Sequence, residues 1–240
     1  MTIRAVLFDL DDTLFDHRGA SRAALAEVHR RHASASDFEA FEGAHVRILE
    51  ELHLEVLAGT RGLDDARRER FRRVFEAIGM PLSAEDAGAV AAAYRAGYVP
   101  SWRAVEGAAA LVTAIRARAR VGVISNNLIE ETREKLAFCG LTSLVDAVVV
   151  SGDEGISKPD PRLFHIALDR LGVTAGETVM FGDSWAADIV GAARAGIRRV
   201  WFNPRRRPKP ADPADVDEVF SLTPADRLVA LLLGRAEGTD

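Results

Sequence analysis

Five short runs rich in Val, Ile and Phe recur along the 240-residue chain, and they constrain its fold more than any other feature. Polar residues interrupt these runs only rarely, which is typical of strands that are buried on both faces of a sheet. The predicted strands are Ile3–Phe8, Val121–Ser125, Asp146–Val150, Thr178–Gly182 and Ile197–Phe202. A chain with this many buried strands needs helices to cover both faces of its sheet.

Helical segments are predicted between the later strands, at Leu128–Phe138, Pro161–Leu171 and Ala186–Ala195. Pro161 suits the first turn of a helix, and Gly172 and Gly196 suit helix ends. Strands that alternate with helices indicate an α/β fold built on a parallel sheet. We therefore expect a Rossmann-like, doubly wound parallel sheet as the core of the protein.

Residues 16–99 lack a convincing strand and instead show helical periodicity. Its apolar stripe includes Phe38, Phe41, His45, Ile48, Leu49, Leu52, Val56, Phe71, Val74, Phe75 and Ile78. Breaks fall at residues 33–36, 59–62 and 79–83. We expect an all-helical domain of about four helices over residues 16–99, inserted into a core formed by residues 1–15 and 100–240.

Composition narrows the possible partners and the compartment. The formal net charge of −5 gives no general electrostatic reason to bind nucleic acid or an anionic membrane. The basic run Arg205–Pro210 is interrupted by proline and is interpreted as a solvated loop. Cys139 is the single cysteine, which fits a reducing compartment. With no signal-peptide pattern and no apolar stretch of about 20 residues, a cytoplasmic location is expected.

Chemically useful side chains follow four of the predicted strands. Parallel strands bring their carboxyl ends to one edge, where ligands bind. The residues predicted at that edge are Asp9, Asp11, Ser125, Asn126, Asn127, Lys158, Asp183, Ser184 and Asp188. Asn126 and Asn127 open a helix, whose N-terminal amides favour an anion.

Several acids beside an anion site make chemical sense if a cation lies between them. Carboxylates suit Mg²⁺, which proteins often hold through one or two carboxylates together with a substrate phosphate. None of the six histidines lies in the four strand-end loops, so a zinc cluster is not indicated. We therefore expect Mg²⁺ as the cofactor.

The order of these motifs resembles that of the haloacid dehalogenase superfamily, in its phosphatase branch with a helical cap. The matching stretches are "DLDDTL" from Asp9, Ser125 in "VISNN", Lys158 in "SKPDP" and "GDSWAAD" from Gly182. The resemblance covers the first strand and roughly residues 105–202 of the core, and the helical insert looks like that family's cap. It implies a phosphoric monoester hydrolase acting on a nucleoside monophosphate or another small phosphorylated metabolite.

The resemblance also implies a role for each matching residue. Asp9 would be the nucleophile that forms an aspartyl-phosphate, and Asp11 the general acid and base. Ser125, the backbone amide of Asn126, and Lys158 would bind the phosphoryl oxygens. The carboxylates of Asp9 and Asp183 and the backbone carbonyl of Asp11 would hold Mg²⁺. Asp188 would support this shell.

Single positions separate the branches of the superfamily. Dehalogenases lack an acid at the position of Asp11, because a halide leaves without a proton. Phosphonate-cleaving relatives use a cap lysine, and residues 17–99 contain none. A phosphosugar mutase stays open as an alternative, and a catalytically idle module that binds a phosphometabolite is a third possibility.

Other expectations concern the insert and the C-terminal segment. Five candidate substrate contacts on the insert are His17, Arg18, His45, Arg47 and Arg61, and the alternative for each is an ordinary exposed helix residue. The stretch "VDEVF" is expected to add an edge strand, and "ADRLVALLL" a final helix. We expect a monomer or homodimer whose partner is a small-molecule phosphate ester rather than a nucleic acid or a membrane.

Overall fold

The computed structural model describes residues 2–210 and 216–234. Two compact units are present. The core unit combines the segment ending at Asp16 with the segment that begins at Arg103, and the helical unit is His17–Trp102. Within the described ranges, no helix combines the length and the apolarity that crossing a bilayer requires.

The core unit is built on a parallel sheet with six strands in the described part of the chain. They are β1 (Ala5–Phe8), β2 (Arg120–Ser125), β3 (Ala147–Val150), β4 (Thr178–Gly182), β5 (Arg198–Phe202) and β6 (Asp217–Val219). Their order is β3-β2-β1-β4-β5-β6, and all neighbours run parallel. The five predicted strands are confirmed, and "VDEVF" supplies β6 at the sheet edge.

The helical unit consists of four helices, as its periodicity predicts. They are α1 (His17–His32), α2 (Phe38–Leu57), α3 (Leu63–Ala77) and α4 (Ala84–Tyr98). Asp37 begins α2 by accepting a hydrogen bond from the Ala40 amide at 2.8 Å. The apolar stripe of α2, including Phe41, Ile48 and Leu52, is buried inside this unit.

Helices of the core unit cover the sheet. They are α5 (Ala108–Arg116), α6 (Ile129–Phe138), α7 (Ser151–Glu154), α8 (Pro161–Leu171), α9 (Val190–Arg194) and α10 (Ala225–Leu233). α8 starts as expected, with Pro161 in its first turn and the Asp160 carboxylate accepting from the Arg162 amide at 2.9 Å. It ends at Gly172, whose φ of +60° is a conformation that glycine adopts readily.

One predicted helix begins differently. The segment expected to form a regular helix over 186–195 starts with a π-helical turn at Trp185–Ile189 and continues as α9. The amides of Asp188 and Ile189 both point to the Ser184 carbonyl, at 2.8 and 3.3 Å. A π turn widens the helix by one residue per turn, and such turns are frequent at functional sites.

The order of the strands locates the best binding edge. β1 lies centrally, with all four of its residues fully buried, and pairs with β2 on one side and β4 on the other. The chain winds outward from β1 first through β2 and β3, and later through β4 and β5. In open α/β sheets, ligands bind at the carboxyl ends of the strands where the winding reverses. The expected α/β fold is confirmed, and this reversal lies beside Asp9.

Candidate active site

The turn after β1 brings the first two predicted carboxylates to the sheet edge. Asp9 follows the strand directly and is 7% exposed. The amides of Leu14 and Phe15 both donate to the Leu10 carbonyl at 2.9 Å, which closes the turn. Asp12 adopts a φ of +62°, so it serves the geometry of this turn.

Lys158 reaches the same edge from the loop before α8. Its ammonium donates to Asp9 Oδ1 at 2.6 Å, to Asp188 Oδ1 at 2.7 Å and to the Ile124 carbonyl at 2.9 Å. Burial alone would lower the pKa of Lys158, but the carboxylates of Asp188 and Asp9 raise it above the ordinary lysine value. Lys158 therefore carries a positive charge inside the site.

Asn126 holds the Lys158 loop in place. Its side-chain oxygen accepts from the Lys158 amide at 2.7 Å and from the Ser151 hydroxyl at 2.8 Å. Its side-chain nitrogen donates to the Lys158 carbonyl at 2.9 Å. The Asn126 side chain thus fixes the lysine loop, whereas the group that we expect to contact a phosphate is the Asn126 backbone amide. Ser125 ends β2 and is buried.

Asp183 and Asp188 come from the segment after β4. One carboxylate oxygen from each of Asp9, Asp183 and Asp188 lies within 4.8 Å of the others. The π turn directs the Asp188 carboxylate back toward the end of β4, and its Oδ2 accepts from the Ser184 amide, just after that strand, at 2.9 Å. A methyl group at Gly182 would collide with this carboxylate, so the approach requires glycine.

These three acids repel one another in a place with little water. Burial raises the pKa of Asp9 well above its usual range against the opposing effect of Lys158, and Asp188 and Asp183 add to the increase. Burial, with Asp188 and Asp12, raises the pKa of Asp183 to about 7, although Arg207 and Arg205 oppose this shift. A divalent cation among the oxygens would relieve the repulsion, so an oxygen-only donor set of this kind fits Mg²⁺.

Asp11 has contacts that its sequence pattern does not reveal. Its Oδ1 accepts from the ammonium of Lys135 at 2.7 Å, and its Oδ2 accepts from the Asn127 side chain at 3.2 Å. Lys135 lies on α6 and is completely buried. The Asp11 carboxylate therefore points to the segment after β2, while the three clustered acids are Asp9, Asp183 and Asp188.

Two further contacts to the acids were not expected. The Thr13 hydroxyl donates to Asp9 Oδ2 at 3.0 Å and accepts from the Asp183 amide at 3.1 Å, so it links the two carboxylate-bearing loops. Its place in "DLDDTL" is the one sequence signal that pointed to it.

The basic run is less detached from the site than its sequence suggests. The Arg207 guanidinium donates to the Asp183 carbonyl at 2.7 Å and to its carboxylate at 3.1 Å. Arg205 lies 3.7 Å from the same carboxylate. The buried Asn203 side chain anchors this loop through the Arg207 amide and carbonyl, both at 2.9 Å. The run is exposed as expected, but it also reaches the active-site acids.

The insert candidates differ in what they contact within the helical unit. His45 is fully buried between the rings of Phe71 and Tyr94, so its interpretation as a substrate contact is wrong. It occupies the apolar stripe of α2 and serves packing. His17 Nδ1 lies 2.7 Å from the Tyr98 hydroxyl, whereas Arg61 pairs with Glu55 at 2.6 Å.

A family model described as a haloacid dehalogenase-like hydrolase matches residues 3–196. The match therefore spans β1, the whole helical unit and the strand-end loops through α9. All of the predicted site residues fall inside it.

Similar sequences include phosphatases that extend over most of the chain. The N-acylneuraminate-9-phosphatase of Rattus norvegicus is 31% identical over 210 residues, covering 84% of this chain and 83% of the relative. The phosphoserine phosphatase of Thermus thermophilus is 32% identical over 247 aligned positions, covering 91% of this chain and 98% of the relative.

Similar solved structures include the HAD-hydrolase YfnB from Bacillus subtilis, bound to magnesium. It aligns with a TM-score of 0.75 at 23% identity, covering 97% of this chain and 99% of the other. At this identity the comparison supports the fold, including the helical insertion.

Proposed function

This chain belongs to the haloacid dehalogenase-like hydrolases, as a phosphatase of small phosphate monoesters, and we propose that it works through an aspartyl-phosphate at Asp9 with the help of Mg²⁺. The observation that carries the proposal is the meeting of Asp9, Asp183 and Asp188 with Lys158 at one sheet edge. The three carboxylates suit the binding of a cation, and the Lys158 ammonium suits the binding of a phosphate beside it.

Asp9 is proposed as the nucleophile. Its two carboxylate oxygens contact different groups, Lys158 on Oδ1 and the Thr13 hydroxyl on Oδ2, which fixes the orientation of the carboxylate. In the first step one carboxylate oxygen forms a bond to phosphorus while the bond from phosphorus to the leaving oxygen breaks. In the second step water attacks the phosphorus of the aspartyl-phosphate, which releases inorganic phosphate and restores the Asp9 carboxylate.

Asp11 is proposed to move the proton in both steps. Its protonated carboxyl gives a proton to the leaving oxygen, and the resulting carboxylate takes a proton from the attacking water. Positioned proton transfer of this kind is typically worth about 10² to 10⁴ in rate. The same residue argues against dehalogenation, since a halide leaves without a proton.

Ser125, the backbone amide of Asn126 and Lys158 are proposed to hold the oxygens of the transferring phosphoryl group. The buried Lys158 charge would stabilise the negative charge that develops on those oxygens. Removing one such donor from an active site costs about 10² to 10³ in kcat.

Mg²⁺ is the cation that this site would hold, through the carboxylates of Asp9 and Asp183 and the backbone carbonyl of Asp11. When bound, it would neutralise charge on the phosphate and bring the phosphorus within reach of Asp9. Asp188 would act indirectly, since its oxygens already contact Lys158 and the Ser184 amide.

For the substrate we propose a nucleoside monophosphate or another small phosphorylated metabolite. The relatives are named for N-acylneuraminate 9-phosphate and phosphoserine, and a third, from Escherichia coli, is named a pyrimidine 5'-nucleotidase. Those names differ in the alcohol that leaves and agree on a phosphate monoester.

The test is phosphate release from a panel of nucleotides, sugar phosphates, phosphoserine and p-nitrophenyl phosphate. We expect release by the wild type with Mg²⁺, little without Mg²⁺, and a loss of at least about 10³-fold in Asp9→Asn, because the nucleophile is gone. Asp16→Asn, which alters an acid paired with Arg103 outside the proposed machinery, is the matched control. A fully active Asp9→Asn would refute the proposal, and transfer of phosphate between sugar positions without release would favour a mutase.

A further inference from the structure

Lys135 is a second buried lysine that the proposed mechanism does not use. The chain has three lysines, and two of them bind acids of the proposed site: Lys158 binds Asp9, and Lys135 binds Asp11. Lys135 is 0% exposed, and its ammonium also lies 3.1 Å from Glu131 and 5.1 Å from the centre of the Phe15 ring. Burying an ammonium is unfavourable unless the charge is paired. Asp11 and Glu131 therefore compensate the buried charge of Lys135.

The contacts of Lys135 determine where the Asp11 carboxylate lies. The Lys135 ammonium donates to Asp11 Oδ1 at 2.7 Å, and the Asn127 side-chain nitrogen donates to Asp11 Oδ2 at 3.2 Å. Both come from the segment after β2, which lies more than a hundred residues away in the sequence. The Asn127 side chain is itself fixed, because its oxygen accepts from the Leu128 amide at 2.8 Å. The orientation of Asp11 is thus set by Asn127, which precedes α6, and by Lys135 in the last turn of α6, as well as by its own turn.

We propose that Lys135 is a positioning residue for Asp11. By binding Oδ1, the ammonium directs the carboxyl group so that Oδ2, which has the longer contact, is the oxygen that exchanges the proton. The proton passes from Oδ2 to the leaving oxygen as the phosphorus–oxygen bond breaks, and returns to Oδ2 from the attacking water. This inference rests on the proposed function of Asp11 and identifies Lys135 as the residue that orients its carboxyl group.

A misplaced general acid affects some substrates more than others. p-Nitrophenolate departs readily without a proton, whereas an alkoxide leaving group needs one. We therefore expect Lys135→Met to lower kcat/KM about 10- to 100-fold for glycerol phosphate, since small displacements of a catalytic group have effects of that size. The loss for p-nitrophenyl phosphate should be several-fold smaller. A purely structural role would lower both values equally.

The experiment compares both esters across four enzymes: the wild type, Lys135→Met, Asp11→Asn and the double variant. Because Lys135 acts through Asp11, Lys135→Met should have little further effect on the enzyme that already carries Asp11→Asn. Lys209→Met is the matched control, because Lys209 contacts the Val216 carbonyl and none of the site residues in the described structure. Circular dichroism and thermal unfolding check that each variant folds. If Lys135→Met does not fold, Lys135→Gln, which keeps a donor, takes its place.

The outcomes are distinguishable. The inference is supported if Lys135→Met lowers kcat/KM more for glycerol phosphate than for p-nitrophenyl phosphate, and if it has no further effect in the enzyme that carries Asp11→Asn. Equal losses for both esters, or an undiminished loss in that background, overturn it while leaving the proposed function intact. A wild type that releases no phosphate from these two esters or from any member of the panel above overturns the proposed function and this inference together.

Discussion

At the scale of single residues, the site is a set of charges that depend on one another. Lys158 stays charged because Asp9 and Asp188 contact its ammonium, and the two acids tolerate burial because Lys158 lies between them. Removing one member would leave an uncompensated charge, which is costly in a buried site. This mutual dependence explains why these three residues, which are distant in the sequence, form one unit.

Arg207 places a positive charge against Asp183, and we expect this charge to compete with Mg²⁺. Its guanidinium is half-exposed and donates to the Asp183 carboxylate, a proposed metal ligand. We expect Arg207→Ala to tighten Mg²⁺ binding about two- to five-fold, since a partly exposed ion pair contributes roughly 0.5 to 1 kcal/mol. Isothermal titration with MgCl₂ measures this directly.

Arg206→Ala is the control for the loss of an arginine from the same loop. Arg206 lies 4.3 Å from the centre of the Phe220 ring, on a different set of neighbours. Unchanged or weaker Mg²⁺ binding by Arg207→Ala would show that this arginine does not compete for Asp183.

At the scale of elements, the structure explains which predictions were possible. The strands and the helices of the insert have local signatures, namely apolar runs and the 3.6-residue period, so the sequence predicts them. The contacts of Lys135, Asn127 and Arg207 join residues from separate segments of the chain through single side chains. Such contacts leave no periodic pattern in the sequence, which is why they were missed.

His45 shows how a local pattern can point in two directions. Its position in the apolar stripe of α2 predicts burial, whereas its residue type suggested a substrate contact. His45 is buried because it lies in the apolar stripe of α2, and the periodic apolar positions of a helix face its packing partners. Neither ring nitrogen has a hydrogen-bond partner among the described residues.

Burial of this neutral histidine should make the stability of the helical unit depend on pH. Burial, aided by the charges of Arg70 and His17, lowers the pKa of His45 well below 6.5. His45 is therefore protonated in the unfolded chain at a pH where it stays neutral in the folded chain. The free energy of unfolding falls as the pH drops below about 6.5, by up to about 1.4 kcal/mol per pH unit. We expect His45→Leu to weaken this dependence in urea unfolding between pH 7 and pH 5.

His32→Leu removes an exposed histidine from the end of α1 and controls for the loss of a histidine as such. If His45→Leu and the wild type lose stability in parallel as the pH falls, His45 is not the source of the dependence.

At the scale of the whole molecule, the chain separates into a core unit that carries all of the proposed catalytic residues and a helical unit inserted after β1. The order of the strands, with its reversal at β1, brings loops from four parts of the sequence to one edge. The sequence predicts that edge because each loop directly follows a recognisable strand. It does not reveal the identity of the substrate, because the leaving group is recognised by side chains whose arrangement no local pattern encodes.

The role of Asp9 is tested most directly by a rapid-mixing measurement of p-nitrophenolate release by the Asp11→Asn enzyme with Mg²⁺. This substrate transfers its phosphoryl group without an acid, but hydrolysis of the aspartyl-phosphate needs the base that the variant lacks. We predict a rapid burst of p-nitrophenolate equal to the enzyme concentration, followed by slow turnover. The double variant Asp9→Asn/Asp11→Asn should show no burst. An equal burst from the enzyme that also carries Asp9→Asn would show that Asp9 is not the nucleophile.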